Sequence, residues 1–215
     1  MIAAHRGAWD PEPQNSLAAF HRAIALGADM IELDLRATRD GRLVAVHDAM
    51  VEGAPVADWA HRELSGAAPH IPLLEEVLAL CAGRVLLNIE LKVPGLEEQC
   101  LVLMRPFCPA GFIVTSFLAE VVDAIRRRAP GLATGLVAAR GDPADLAAQC
   151  RSAGHRALFL HLSMLPPPGQ IVAPDLFAWT VNGEAALTSA ILRKDLAGIV
   201  TDEPALGLAL RASLT

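Results

Sequence analysis

The sequence predicts an α/β protein of the (β/α)8 TIM-barrel class. Eight short apolar runs recur along its 215 residues, amphipathic stretches of helical period fall between them, and glycines stand where the chain turns back into a run. Strand–helix alternation of this kind favours parallel βα units. Eight units suit a closed barrel better than an open doubly wound sheet, although pattern alone leaves the open sheet available. The chain is shorter than the ~250 residues usual for this class, so its loops must be short. It is read as one domain over residues 1–215.

In chain order, the strand runs are Ile2–His5, Asp29–Leu35, Val85–Leu91, Phe112–Ser116, Leu132–Val137, Ala157–His161, Leu176–Val181 and Gly198–Thr201. Helical patterns include Ser16–Leu26, Leu74–Cys81, Leu118–Arg128, Pro143–Ala153 and Gly183–Leu192. Asn15-Ser16 suits a helix N-cap, and Gly27 suits the matching C-terminal stop. Gly131, Gly154 and Gly198 each precede a strand run, as αβ loops prefer. Pro72 reads as a helix start, where its fixed φ is tolerated.

One departure from simple alternation follows the second strand. Asp40-Gly41 is a two-residue hairpin signal. Leu43–His47 is then an antiparallel return rather than a ninth parallel strand, and that turn places Asp34 opposite His47. Residues 49–71 read as a reduced cap insertion, a polar connection with a short helix near Trp59–Leu64.

Composition narrows the function classes. Apolar residues make up 53% of the chain, which argues against disorder. No stretch approaches the ~20 apolar residues that span a bilayer, so no stable membrane insertion is expected. The start at Met1 has neither a charged n-region nor an apolar h-region, so the expectation is a cytoplasmic protein. Net charge is −6 and no Lys/Arg run could track a nucleic-acid backbone. The densest basic patch, Arg126-Arg127-Arg128, ends a helical pattern, where it complements the helix dipole. The four cysteines show no CxxC spacing. Cys81, Cys100 and Cys150 fall in helical patterns and read as buried free thiols.

Side chains of a strand alternate, so Glu32 and Asp34 share one face, and Asn88, Glu90 and Lys92 share a face of the third strand. Carboxylates on two strands could converge at a barrel mouth. Three oxygen donors plus water suit one divalent cation, Mg²⁺ or Ca²⁺, better than a softer ion. His5 ends the first strand, Arg6 follows it, and the hairpin returns His47 to the same rim. Catalytic residues of barrels sit at that C-terminal rim. Singly, each of these residues has an ordinary structural reading, such as an acidic strand edge or a snorkelling lysine. Jointly, buried charges at one rim are costly unless paired or metal-bound. His161 also ends a strand and could line the mouth.

At this point the sequence resembles the glycerophosphodiester phosphodiesterase family. The resemblance rests on His5-Arg6-Gly7, Gly27–Asp34, Thr38-Arg39-Asp40-Gly41, Val44–Asp48, Ile71–Leu78, Asn88–Lys92, Ser116-Phe117, Trp179–Asn182 and Gly198–Pro204, in order along essentially the whole chain. It implies a TIM barrel that hydrolyses glycerophosphodiesters to glycerol 3-phosphate and an alcohol. It implies one Mg²⁺ or Ca²⁺ held by Glu32, Asp34 and Glu90, and His5 and His47 as the acid–base pair, without fixing which is the base. It further implies Arg6 and Lys92 as phosphate-binding cations and Trp179 as an apolar wall. In mechanisms proposed for the family, the glycerol hydroxyl attacks first and a cyclic phosphate is then hydrolysed. Two alternatives remain from the residues. One is a lysophospholipase D-like phosphodiesterase, and the other a catalytically silent barrel that binds a phosphorylated metabolite. Two departures stand out: Gln14 where the family usually has Glu, and Ala49–Gly53 in place of a longer covering segment.

Overall fold

The structure is a computed structural model that describes residues 1–214, so the 1–215 domain reading runs one residue past it. Eight parallel strands form a closed barrel. They are β1 (Ile2–His5), β2 (Met30–Ala37), β6 (Leu86–Leu91), β7 (Phe112–Ser116), β8 (Ala133–Ala138), β9 (Ala157–His161), β10 (Asp175–Trp179) and β11 (Gly198–Thr201). Closure is direct, because β1 pairs in parallel with both β2 and β11. The tenth strand ends at Trp179, two residues before the end expected from sequence.

Helices α1 (Leu17–Leu26), α3 (Leu74–Cys81), α4 (Glu97–Met104), α5 (Ala119–Arg128), α6 (Pro143–Ala153) and α7 (Glu184–Ile191) lie in the connections of the barrel strands, and α8 (Pro204–Leu214) follows the last strand. The β9–β10 connection lacks an α-helix and has only a 3₁₀ turn at Leu162–Met164. Pro166-Pro167-Pro168 follows that turn and removes three backbone donors, which bars a helix there. Met164, Leu165, Ile171 and Ala173 cover Leu158, Leu160 and Leu176 in its place. Omitting one helix helps a short chain close a full barrel.

The caps of α1 follow the sequence. Ser16 Oγ accepts from the Ala19 amide at 3.1 Å, and Gly27 takes the left-handed C-cap at φ +80°. Pro72 stands outside the next helix, since Leu73 is the N-cap and α3 begins at Leu74. The Pro72 carbonyl instead accepts from the Ala45 amide.

The barrel interior has an apolar floor and a polar top. Phe159 and Phe177 stack at 4.4 Å in the floor, beside Met30, Ile113, Val137 and Val200. Gly198 makes room for this stack, because a Cβ there would lie 2.5 Å from the Phe177 ring. Two residues further along β2, the same face carries Glu32 and then Asp34, both buried. Thr115 Oγ1 donates to Asn88 Oδ1 at 2.7 Å in this polar layer.

The hairpin after β2 differs in register from the sequence expectation. Strand β3 (Leu43–Ala45) pairs antiparallel with β2, and Leu35 faces Ala45. The turn therefore has three residues, Arg39–Gly41, closed by the Thr38 amide donating to the Arg42 carbonyl. Gly41 supplies the left-handed conformation at φ +75° that such a loop needs. Thr38 Oγ1 reinforces it, donating to Asp40 and accepting from the Arg42 amide. In consequence, Val46 rather than His47 bonds to the Asp34 backbone.

The connection over residues 49–71 has a small core of its own. It contains the hairpin β4 (Met50–Val51) and β5 (Ala54–Pro55), a 3₁₀ turn, and α2 (His61–Ala67), which begins two residues after the predicted Trp59. Val56, Leu64, Ala68 and Ile71 pack with Val44 and Val46 of the β3 segment. This packing ties the segment to the mouth of the barrel.

Candidate active site

The ladder sets the acidic residues side by side. Asp34 pairs with Glu90 across β2 and β6, and Glu32 pairs with His5 across β2 and β1. One carboxylate oxygen each from Glu32, Asp34 and Glu90 lies within 4.8 Å of the others. All three are buried.

Two cations and two amide groups hold this trio. Lys92 Nζ lies 2.5 Å from Glu90 Oε1 and 3.1 Å from Asp34 Oδ1. Arg6 Nε lies 3.2 Å from Asp34 Oδ2, an ion pair that lacks hydrogen-bond alignment. The Arg6 backbone amide donates to Glu32 Oε2 at 3.0 Å, with Arg6 at φ +57°. Gly7, at φ +87°, lets this turn press against Ala19 of α1, where a Cβ would meet backbone at 2.8 Å. Gln14 Oε1 accepts from Arg6 Nη1 at 2.6 Å. Asn15 donates to Asp34 Oδ2 and accepts from the Asp34 amide.

Both histidines are anchored through Nδ1 by a carboxylate. His5 Nδ1 lies 2.7 Å from Asp202 Oδ1, and His47 Nδ1 lies 2.7 Å from Asp48 Oδ1. Such a partner fixes the ring and favours the tautomer whose Nε2 is free to accept a proton. His5 Nε2 faces Glu32 at 3.9 Å. Asp202 is in turn fixed by Asn182, which donates to its Oδ2 and accepts from its amide.

Burial and charge set the protonation pattern. Burial, with repulsion from Asp34 and Glu90, holds the Glu32 carboxyl well above the usual carboxylate range. Burial also raises Glu90, against the pull of Lys92. At Asp34 burial acts upward too, but Lys92 and Arg6 outweigh it and the carboxyl is lowered. Lys92 is raised, because Glu90 and Asp34 outweigh its own burial. Burial lowers the His47 imidazole. For Asp202, hydrogen bonds from His5 and Asn182 outweigh burial and lower the carboxyl.

An aromatic wall completes the pocket. Phe117 and Trp179 meet edge to face at 5.4 Å, and His161 meets Trp179 at 5.3 Å. Trp179 Nε1 donates to the Phe159 carbonyl, which holds the indole in place. The cavity is about 120 Å³ and is lined by His5, Arg6, His47, Lys92, Phe117 and Trp179 together with the carboxylates. A larger groove of about 610 Å³ runs along the outside near Leu101, Met104 and Phe107. It gathers no set of carboxylates and imidazoles, so the smaller cavity is the candidate site.

A family model for the glycerophosphoryl diester phosphodiesterase family matches residues 5–206 of this chain. The chain belongs to that family. Family membership makes it an enzyme of the phosphoric diester hydrolase class. A glycerophosphodiester phosphodiesterase from Caldanaerobacter subterraneus subsp. tengcongensis is 30% identical over 95% of this chain and 94% of its own length. One from Bacillus altitudinis is 41% identical over 46% of this chain and 49% of its own. Among solved structures, a Parabacteroides distasonis glycerophosphodiester phosphodiesterase superposes with TM-score 0.86 at 22% identity, covering 99% of this chain and 97% of that one. An Oleispira antarctica phosphodiesterase, solved with the product sn-glycerol-3-phosphate, also gives 0.86 at 22% identity, covering 98% and 96%. These two likenesses concern the fold.

In this family member, eight residues singled out from the sequence line a single cavity: His5, Arg6, Glu32, Asp34, His47, Glu90, Lys92 and Trp179, whereas His161 is not among its lining residues. His161 stands at the rim against Trp179 and bonds to Ser163. Sequence reasoning gave no role in the site to Asp202, Asn15 or Asn182, and read Asn15 only as part of a helix cap. Asp202 carried a readable signal, an acid just past the end of the strand that neighbours β1. The Asn15–Asp34 clamp had none, because it depends on how the β1–α1 loop folds over β2.

Proposed function

We propose that this phosphodiesterase hydrolyses glycerophosphodiesters to glycerol 3-phosphate and an alcohol, with one divalent cation, Mg²⁺ or Ca²⁺. The observation that carries the reading is the charge balance of the cavity. With all three buried carboxylates ionised, the two cations would leave one negative charge uncompensated, and that repulsion adds to burial in holding Glu32 above the usual carboxylate range. A divalent cation on Glu32, Asp34 and Glu90 reverses that balance to a single positive charge, which a phosphodiester monoanion neutralises. The all-oxygen donor set suits a hard ion. Bound there, such an ion supplies charge stabilisation for the phosphoryl oxygens.

The chain's own residues supply the rest. Arg6 and Lys92 hold the phosphate and set its orientation. Trp179 and Phe117 cover the carbon skeleton of the glycerol and exclude water. The glycerol hydroxyl attacks phosphorus and passes its proton to His5 Nε2. His47 donates a proton to the departing alcohol oxygen. Water then opens the cyclic phosphate with the two roles reversed. Burial keeps His47 neutral in the empty pocket, and the substrate's negative charge favours its protonation when that is required. Asp202 and Asp48 keep both rings aimed.

The test is release of glycerol 3-phosphate from glycerophosphocholine and glycerophosphoethanolamine with Mg²⁺, with Ca²⁺ and with EDTA, with His5→Ala as control. Release that needs metal and fails in His5→Ala supports the reading. Release unaffected by EDTA, or retained by His5→Ala, sinks it.

A further inference from the structure

A second cavity of about 220 Å³ adjoins the candidate site, and His47 lines both. It lies on the side of the 49–71 segment. Its charged or polar side chains include Gln14, Asp48, Glu52 and His70, and Val46 and Ile71 are among its apolar ones. Among the described residues no lysine or arginine lines it. Arg36 donates to the His47 carbonyl nearby but is not among the lining residues. The two cavities thus differ in their charged linings. In the first, Arg6 and Lys92 offset three carboxylates, and the second presents two carboxylates and no permanent cation.

We infer that this second cavity receives the departing alcohol, and that Asp48 and Glu52 bias the enzyme toward alcohols bearing a positive charge, such as ethanolamine or choline. The inference rests on the function proposed above, in which His47 protonates the alcohol oxygen. The first cavity, at about 120 Å³, suits little beyond a glycerol phosphate unit. The alcohol must then leave past His47, and the neighbouring space begins there. A cationic alcohol entering it meets Glu52 unopposed, while Asp48 already partners His47. An amphiphile with an anionic head would meet repulsion instead.

Glu52 also permits a clean variant. It opens the two-residue Glu52-Gly53 turn of the β4–β5 hairpin at φ +49°, a conformation asparagine adopts more readily than glutamate. Glu52→Asn therefore removes the charge without threatening the fold. The experiment measures kcat/KM for glycerophosphoethanolamine and for glycerophosphoglycerol, whose leaving alcohol is neutral, in the wild-type enzyme and in Glu52→Asn. The wild-type enzyme should favour the charged alcohol by about fivefold, the scale of one partly solvated ion pair. That ratio should collapse toward one in Glu52→Asn and shrink with added salt in the wild-type enzyme. Equal use of both substrates, or a ratio that Glu52→Asn leaves intact, overturns the inference while the proposed hydrolysis stands. No glycerol 3-phosphate from either substrate overturns the hydrolysis itself, and this inference with it.

Discussion

His5 and Asp202 lie 197 positions apart and meet at 2.7 Å through Nδ1 and Oδ1. They meet because β1 and β11 are the strands that close the barrel. Each residue ends or just follows one of those strands, so the β1–β11 ladder places the carboxylate behind the imidazole. Asn182 buttresses Asp202 from the loop after β10.

Asp202→Ala is expected to lower kcat by about tenfold or more, the scale of losing an oriented acid–base group. KM should stay within about twofold, because Asp202 does not line the cavity that takes the phosphate. Asp202→Glu should restore part of the rate. Steady-state kinetics on the three proteins decide this. A rise in KM with unchanged kcat would assign Asp202 to binding instead.

Glu90→Ala is expected to bring turnover down to the level seen in EDTA. Its fold should hold, because Lys92 keeps Asp34 as a partner at 3.1 Å once Glu90 is removed. Thermal unfolding alongside the activity assay separates the two effects. Full activity at saturating Mg²⁺ or Ca²⁺ would remove Glu90 from the metal set.

Far from the site, His155 makes stability depend on pH. It is buried, with Nδ1 at 2.9 Å from Thr134 Oγ1 and Nε2 at 3.1 Å from Asp123. Burial lowers its imidazole below the ordinary value, against the pull of Asp123. Above the unfolded value of ~6.5 both states are neutral and the contribution is complete. As pH falls below that value the unfolded chain binds the proton more readily, so stability drops. Melting temperatures from pH 7.5 to pH 5 should therefore fall more steeply for the wild-type protein than for His155→Gln. Parallel curves would count against this account.

The cysteines should differ in reactivity. Burial pushes Cys81 and Cys100 up to about 12 and Cys150 up to about 11, so these thiols stay protonated. Cys108 is exposed. A thiol reagent at pH 8 is expected to modify one cysteine per native chain and four after denaturation. Rapid modification of a second native thiol would show that one helix opens.

What the sequence by itself determined is the alternation of elements and the residues on their inward faces. Period-two patterning in Glu32–Asp34 and Asn88–Lys92 suffices for that, because a strand permits only two faces. Helix ends at Ser16 and Gly27 were legible for a similar reason, since capping is a contact among near neighbours. The hairpin register was not. Asp40-Gly41 fits both a two-residue and a three-residue loop, and the side chain of Thr38 with the left-handed Gly41 selects the longer one. Only the tertiary structure decided that Asn15 clamps Asp34, that Asp202 backs His5, and that residues 49–71 enclose a second cavity beside His47. Those relations join segments from 19 to 197 residues apart. Local pattern fixes which way a side chain points from its own element, whereas barrel closure and loop packing choose what it meets.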